Sequence, residues 1–127
     1  MSNEAINDHP YSDAVTAGGL TFVSGCLPFD DRGQIVHDQD TVLAAAFATL
    51  ERRLRRSNLT LQDVVKLTYF ATDISLREKA NRQFEQVFTD PRPARSFIGV
   101  PFLPKDAFVE IDAIACRREV RDASAES

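Results

Sequence analysis

Hydrophobic and polar positions are spaced along this chain in a way that predicts the element order ββαβαββ. In Ala14-Val-Thr-Ala-Gly18-Gly19-Leu-Thr-Phe-Val-Ser24-Gly25, a Gly-Gly pair separates two short β-prone stretches. Both glycines can take positive φ, as a tight hairpin turn requires, which predicts strands at about 13–17 and 20–25. Phe29-Asp-Asp-Arg-Gly33-Gln-Ile-Val reads as a second turn, with Gly33 suited to a left-handed position. From Asp40 to Ser57, Leu43, Ala46, Phe47, Leu50 and Leu54 recur at three- and four-residue intervals and define one side of a helix. Arg52, Arg53, Arg55 and Arg56 are then expected on its water-facing side.

The stretch Asp63-Val-Val-Lys-Leu-Thr-Tyr-Phe-Ala-Thr is too continuously apolar for a surface strand and predicts a central one. Ser75-Leu-Arg-Glu78 fits a capping box that opens a second helix, with Ala80, Phe84, Val87 and Phe88 as its buried stripe. Pro91 and Pro93 forbid its continuation. Two final strands, at about 94–100 and 107–116, complete an α+β arrangement with both helices on one face of the sheet.

Strand parity then suggests where chemistry could sit. In the last strand Val109, Ile111, Ala113 and Ala115 form a uniformly apolar set that should face the helices, leaving Phe108, Glu110, Asp112 and Ile114 on the other side. The same argument in the preceding strand puts Ala94, Ser96, Ile98 and Val100 toward the helices, so Arg95, Phe97 and Gly99 would share the uncovered face with Glu110. An apolar patch there calls for a cover, and a homo-oligomer supplies one. Arg95 could grip a carboxylate through two parallel hydrogen bonds, with Glu110 holding or activating a water. The same spacing fits a plain cross-strand Arg95–Glu110 pair, and parity leaves the two readings open.

Length and composition narrow the classes. The 127 residues suit a single domain, with flexible ends expected at about 1–9 and 118–127. The first residues have neither the basic segment nor the apolar core of a secretory signal, and no apolar run is long enough for a bilayer, so a cytoplasmic protein without membrane partners is expected. Cys26 and Cys116 lie far apart without a C-x-x-C pattern and read as reduced thiols, with no metal site expected. A net charge of −4 gives no footprint for nucleic acid.

The residues singled out by parity lie in blocks that, taken together, are specific. Pro10-Tyr11-Ser12, Phe22-Val-Ser24-Gly25-Cys-Leu-Pro28, Asp63-Val-Val-Lys66, Pro93-Ala-Arg95-Ser96, Leu103-Pro-Lys-Asp and Val109-Glu110-Ile-Asp-Ala-Ile-Ala115 resemble the RidA (YjgF-like) family of reactive-intermediate imine deaminases over nearly the whole chain. The resemblance implies a chorismate-mutase-like fold assembled as a homotrimer, with sites in clefts between subunits and no cofactor. It implies that Arg95 binds the substrate carboxylate and Glu110 orients the hydrolytic water, with Tyr11, Ser24, Asn81 and Phe97 lining the pocket. From the residues alone, Ser24 could merely end a strand, Asn81 sit exposed on a helix and Tyr11 pack as an aromatic. The reaction implied is hydrolysis of 2-aminoacrylate-like enamines and 2-imino acids to 2-keto acids and ammonia.

Two positions depart from the family pattern. Cys26 stands where many relatives carry Gln, and Phe97 where a smaller residue is common. Leu27-Pro28-Phe29-Asp30 and Val36-His37 also look like RutC, the aminoacrylate deaminase of pyrimidine breakdown, which leaves 3-aminoacrylate open. Two functions of other kinds compete with a deaminase: a noncatalytic trimer binding small carboxylates, and a translation-inhibiting endoribonuclease. The negative charge disfavours the ribonuclease, as does the placing of His9 and His37 in predicted loops.

Overall fold

Gly18 and Gly19, at φ 60° and 80°, turn the chain between β1 (Ala14–Ala17) and β2 (Leu20–Cys26) as a mirror-image turn demands. The computed structural model describes residues 9–117, so the ends expected to be flexible lie, apart from His9, outside the described residues. The chain continues through α1 (Val42–Arg56), β3 (Val64–Ala71), α2 (Arg77–Val87), β4 (Ala94–Gly99) and β5 (Val109–Cys116), with short 3-10 turns before β3, α2 and β5. This is the expected ββαβαββ order.

The five strands form one mixed sheet in the order β1-β2-β5-β3-β4. β3 and β4 run parallel, which requires a crossover, and α2 supplies it. The other neighbours are antiparallel. Val109, Ile111, Ala113 and Ala115 of β5 face the helices as parity demands, and they join Val23, Leu67 and Tyr69 in one core with Leu43, Ala46, Phe47, Leu50 and Leu54 of α1 and Ala80 and Phe84 of α2. Full burial of each large apolar side chain contributes about 1.5–3 kcal/mol, so this stripe-on-sheet contact is the main source of stability.

Three local expectations are corrected. Arg53 does not face water with its neighbours; it is 5% exposed and points into the layer between α1 and β2. Ser75 does not open a capping box, because Asp73 Oδ1 takes both its N–H, at 3.0 Å, and its hydroxyl, at 2.6 Å, starting a 3-10 turn ahead of α2. The reciprocal box stands instead at Thr60 and Asp63, before β3. The third correction falls on β4, whose orientation decides the shape of the site.

Candidate functional site

The strand carrying Ser24 and Gly25 is bulged. Val23 pairs with Ala113 and Cys26 with Ile111, so three steps along β2 match two along β5 and one residue is extra. A bulge of this kind bends the strand and takes backbone groups out of the ladder. Here the freed carbonyls of Ser24 and Gly25 accept from Arg53 Nη1 at 2.9 and 3.0 Å. On the opposite face of the bulge lies the carboxylate of Glu110. A Cβ on Gly25 would stand 2.5 Å from Glu110 Oε2, so glycine is what lets the carboxylate lie against the main chain.

Burial raises the Glu110 pKa, the negative charge of Asp112 adds to the rise, and Arg53 opposes it. Asp112 is itself raised by burial, against a hydrogen bond from Thr68 and the charge of Lys66. Among the described residues Glu110 accepts no hydrogen bond. Ser24 donates its hydroxyl to Ser12 O at 2.6 Å and its N–H to Asp13 O at 2.9 Å. Tyr11, two residues before Asp13, is 55% exposed and stacks on His9 with centroids 3.9 Å apart.

Arg95 belongs to a different place. In the β3–β4 register it stands beside Leu67, and Leu67 beside Ala113, a row whose last two members are buried beneath the helices. Its guanidinium carbon lies 5.5 Å from the Tyr69 ring centroid and 5.3 Å from that of Phe84. Glu110 occupies the row of Phe70 and Ile98, on the other face. The expectation that Arg95 and Glu110 share the uncovered face is therefore wrong, and so is their direct pairing, since β3 separates their strands. The physical reason is that β4 is an edge strand: its helix-side positions need be apolar only in part, and Arg95 lays its guanidinium on aromatic faces instead of exposing it.

Phe97 also lies on the helix side, half-buried with its ring 5.7 Å from Tyr69. Burial raises the Tyr69 pKa, against the pull of Arg95, so the hydroxyl keeps its proton and donates to Gln83 Oε1 at 3.1 Å. Asn81 is half-buried on α2, one turn ahead of Phe84. Among the described residues Arg95 has no hydrogen bond or ion pair, although a guanidinium carries five N–H donors matched to a carboxylate.

The six residues thus fall into two groups. Tyr11, Ser24 and Glu110 belong to the segments around the β2 bulge, whereas Arg95 and Phe97 lie on the helix side at the β4 edge and Asn81 on α2. Cys26 belongs to neither, being fully buried in the core with its thiol 3.4 Å from Ser24 O. Arg53, Asp13 and Gly25 are not marked as site residues by the sequence pattern; the signal for Arg53 is its place one residue before Leu54 on the apolar side of α1. No group of three or more His, Cys, Asp or Glu among the described residues could hold a metal ion. Nor is any helix among them long and apolar enough to cross a membrane.

A mixed five-stranded sheet with two helices packed on one face defines a chorismate-mutase-like α+β protein. The family model described as Endoribonuclease L-PSP matches residues 2–117. A RutC family protein of Pyrococcus horikoshii is 34% identical over 108 residues, covering 84% of this chain and 86% of the relative. The 2-iminobutanoate/2-iminopropanoate deaminase of Salmonella typhimurium is 33% identical over 113 residues, covering 86% and 88%. The crystal structure of RidA from an Antarctic Psychrobacter superposes with a TM-score of 0.80 at 30% identity, covering 87% of this chain and 90% of that one. The chain belongs to the RidA/YjgF family.

Proposed function

We propose that this chain is a cytoplasmic enamine/imine deaminase, a single domain working as a homotrimer, that hydrolyses 2-imino acids formed from 2-aminoacrylate-like enamines to 2-keto acids and ammonia. The carrying observation is the placement of two groups: an arginine without an anionic partner among the described residues on one face of the sheet, and a half-buried carboxylate without a donor on the other. One protomer cannot bring both to a molecule of a few atoms, so the active site combines Arg95, Phe97 and Asn81 of one copy with Tyr11, Ser24 and Glu110 of its neighbour. Val15, Phe22 and Ile98, each more than 40% exposed on the uncovered face, support such an assembly.

In this reading Arg95 neutralises and fixes the substrate carboxylate, and Phe97 borders the side-chain space. A water held by Glu110 attacks the imine carbon: its oxygen bonds to carbon, the C=N π pair moves to nitrogen, and Glu110 takes one water proton and delivers it to that nitrogen. The resulting carbinolamine gives its hydroxyl proton through Glu110 to the amino nitrogen as the C–N bond breaks and the C=O bond forms, releasing ammonia and leaving the keto acid. A carboxyl with a raised pKa is suited to both transfers. Uncatalysed imine hydrolysis is already fast, so positioning and charge neutralisation suffice as catalysis and no cofactor or metal takes part.

The test couples the purified protein to a dehydratase that releases aminoacrylate and times ammonia and keto-acid release. Acceleration that disappears in Arg95→Ala supports the deaminase. Absence of acceleration with retained keto-acid binding would replace it with a noncatalytic binder, and preference for 3-aminoacrylate would move it to RutC-like chemistry. The ribonuclease reading lacks an acid–base pair: His9 is engaged by Asp13 and Tyr11, and His37 by Asp106 O and Phe108.

A further inference from the structure

Arg53 is the charged group whose position the proposed chemistry leaves unexplained. A guanidinium on a residue only 5% exposed is costly unless each of its hydrogens is matched. Several of its partners belong to the segments that frame the Glu110 site. Nη1 donates to Ser24 O and Gly25 O and lies 3.6 Å from Cys26 Sγ, and Nη2 is 3.5 Å from Asp13 Oδ1. Asp13 in turn accepts at Oδ2 from Arg56 Nη1 at 3.1 Å, its Oδ1 lies 3.2 Å from His9 Nε2 without a hydrogen bond, and its carbonyl receives the Ser24 N–H. The bulge is therefore gripped from behind by one rigid fork, while the Glu110 carboxylate lies against its front at Gly25.

We propose that Arg53 is a positioning residue of the hydrolytic site, holding the Ser24-Gly25 bulge and the Asp13 segment so that Glu110 and Ser24 are presented to the substrate in one geometry. It touches neither substrate nor water. The inference rests on the deaminase reading for its catalytic consequence, but the geometry it asserts does not. The Ser24 and Gly25 carbonyls at the bulge have Arg53 as their donor, and without it they would turn toward water and carry the carboxylate's seat with them. A second consequence is electrostatic, because Arg53 is the cation behind the bulge. The groups that bear on Glu110 are Asp112 on its own strand, Arg53 from α1 and, through Asp112, Lys66 of β3.

The experiment uses the full chain with Arg53→Lys, which keeps the charge and loses the fork, and Arg53→Gln, which loses the charge, each checked for assembly and thermal unfolding. Steady-state kinetics across pH are read beside a carbon-13 NMR titration of the Glu110 carboxyl, assigned with Glu110→Gln, which needs no turnover. Arg53→Lys is expected to lower kcat by about tenfold or more with KM changed less than about twofold, since Arg95 is untouched. Arg53→Gln is expected to move the acidic limb of the kcat profile and the NMR titration upward together, and Arg53→Lys to leave both in place. Folded variants with wild-type kcat and an unmoved titration would overturn the assignment. An upward NMR shift in a protein whose wild type shows no turnover would instead sink the deaminase reading and keep the positioning role. If Arg53→Gln fails to fold, Arg53→Lys decides: wild-type kcat in that variant refutes the role.

Discussion

Gly25→Ala probes the seat of Glu110 with a single methyl group. The added Cβ would lie 2.5 Å from Oε2, 2.6 Å from Cδ and 3.1 Å from Cγ of Glu110, where ordinary contact begins at 3.4 Å. Gly25 has no positive φ, so alanine suits the main chain and the whole effect falls on the contact. The obstructing atoms are the far end of a flexible side chain. They can swing away by about 1 Å, which keeps the stability cost near the lower end of the ~1–3 kcal/mol seen for overpacking. In the proposed mechanism the same displacement takes Glu110 out of the position from which it would hold the attacking water. Misplacement by about 1 Å can cost on the order of a hundredfold in rate, equivalent to about 2.7 kcal/mol at about 1.36 kcal/mol per tenfold. The dehydratase-coupled assay should therefore show kcat reduced by one to two orders of magnitude, on the order expected for such a shift, in a protein that unfolds within a few degrees of wild type. Keto-acid binding should persist. Wild-type kcat in a stably folded Gly25→Ala protein would refute the reasoning, since it would mean that the contact between Glu110 and the bulge has no part in the chemistry.

Further outcomes follow from the same geometry. Arg95→Lys keeps a charge but loses the planar fork, so KM for an imino acid should rise by about tenfold or more; thermal unfolding should record a loss of no more than about 2 kcal/mol, the scale of the cation–π contacts to Tyr69 and Phe84. For Glu110, whose pKa in the fold lies above its ordinary value of 4.5, stability is fully present below that value and is lost as pH rises through the folded pKa. Glu110→Gln should accordingly unfold at a higher temperature than wild type at neutral pH and lose that advantage below about pH 4, while its kcat collapses; a lower Tm at neutral pH would contradict the burial argument. Ile98→Asp places a charge in the exposed row beside Phe70 and Glu110 and should leave monomers without activity in sedimentation velocity runs, whereas an intact trimer would remove that face from the interface.

Legibility in the sequence varied with how strongly each element is constrained. The Gly18-Gly19 hairpin was readable because positive φ at two successive positions leaves few residue choices, and β5 because its helix-side positions are all apolar. The family blocks pointed to Glu110 and Arg95, but not to their faces. β4 misled because at an edge strand one side has no full layer to bury against, so Ile98 can be exposed while Arg95 lies on aromatic rings, and apolar parity inverts. Arg53 was hidden for a related reason: four arginines in five positions look like a solvated helix face, and only the bulge across from them creates carbonyls that one of the four must satisfy. The capping box failed because a stronger acceptor, Asp73, stands two residues earlier.

The central claim is that Arg95 of one copy and Glu110 of its neighbour serve a single substrate, and subunit mixing tests it most directly. Arg95→Ala and Glu110→Gln proteins, each inactive alone, are dissociated, mixed in equal amounts and reassembled. Random assembly around a ring joined by head-to-tail interfaces regenerates about a quarter of the sites with both groups intact, so about a quarter of wild-type turnover should return. A reassembled mixture as inactive as its parents would show that both groups must come from the same copy, and the two-copy site would be wrong.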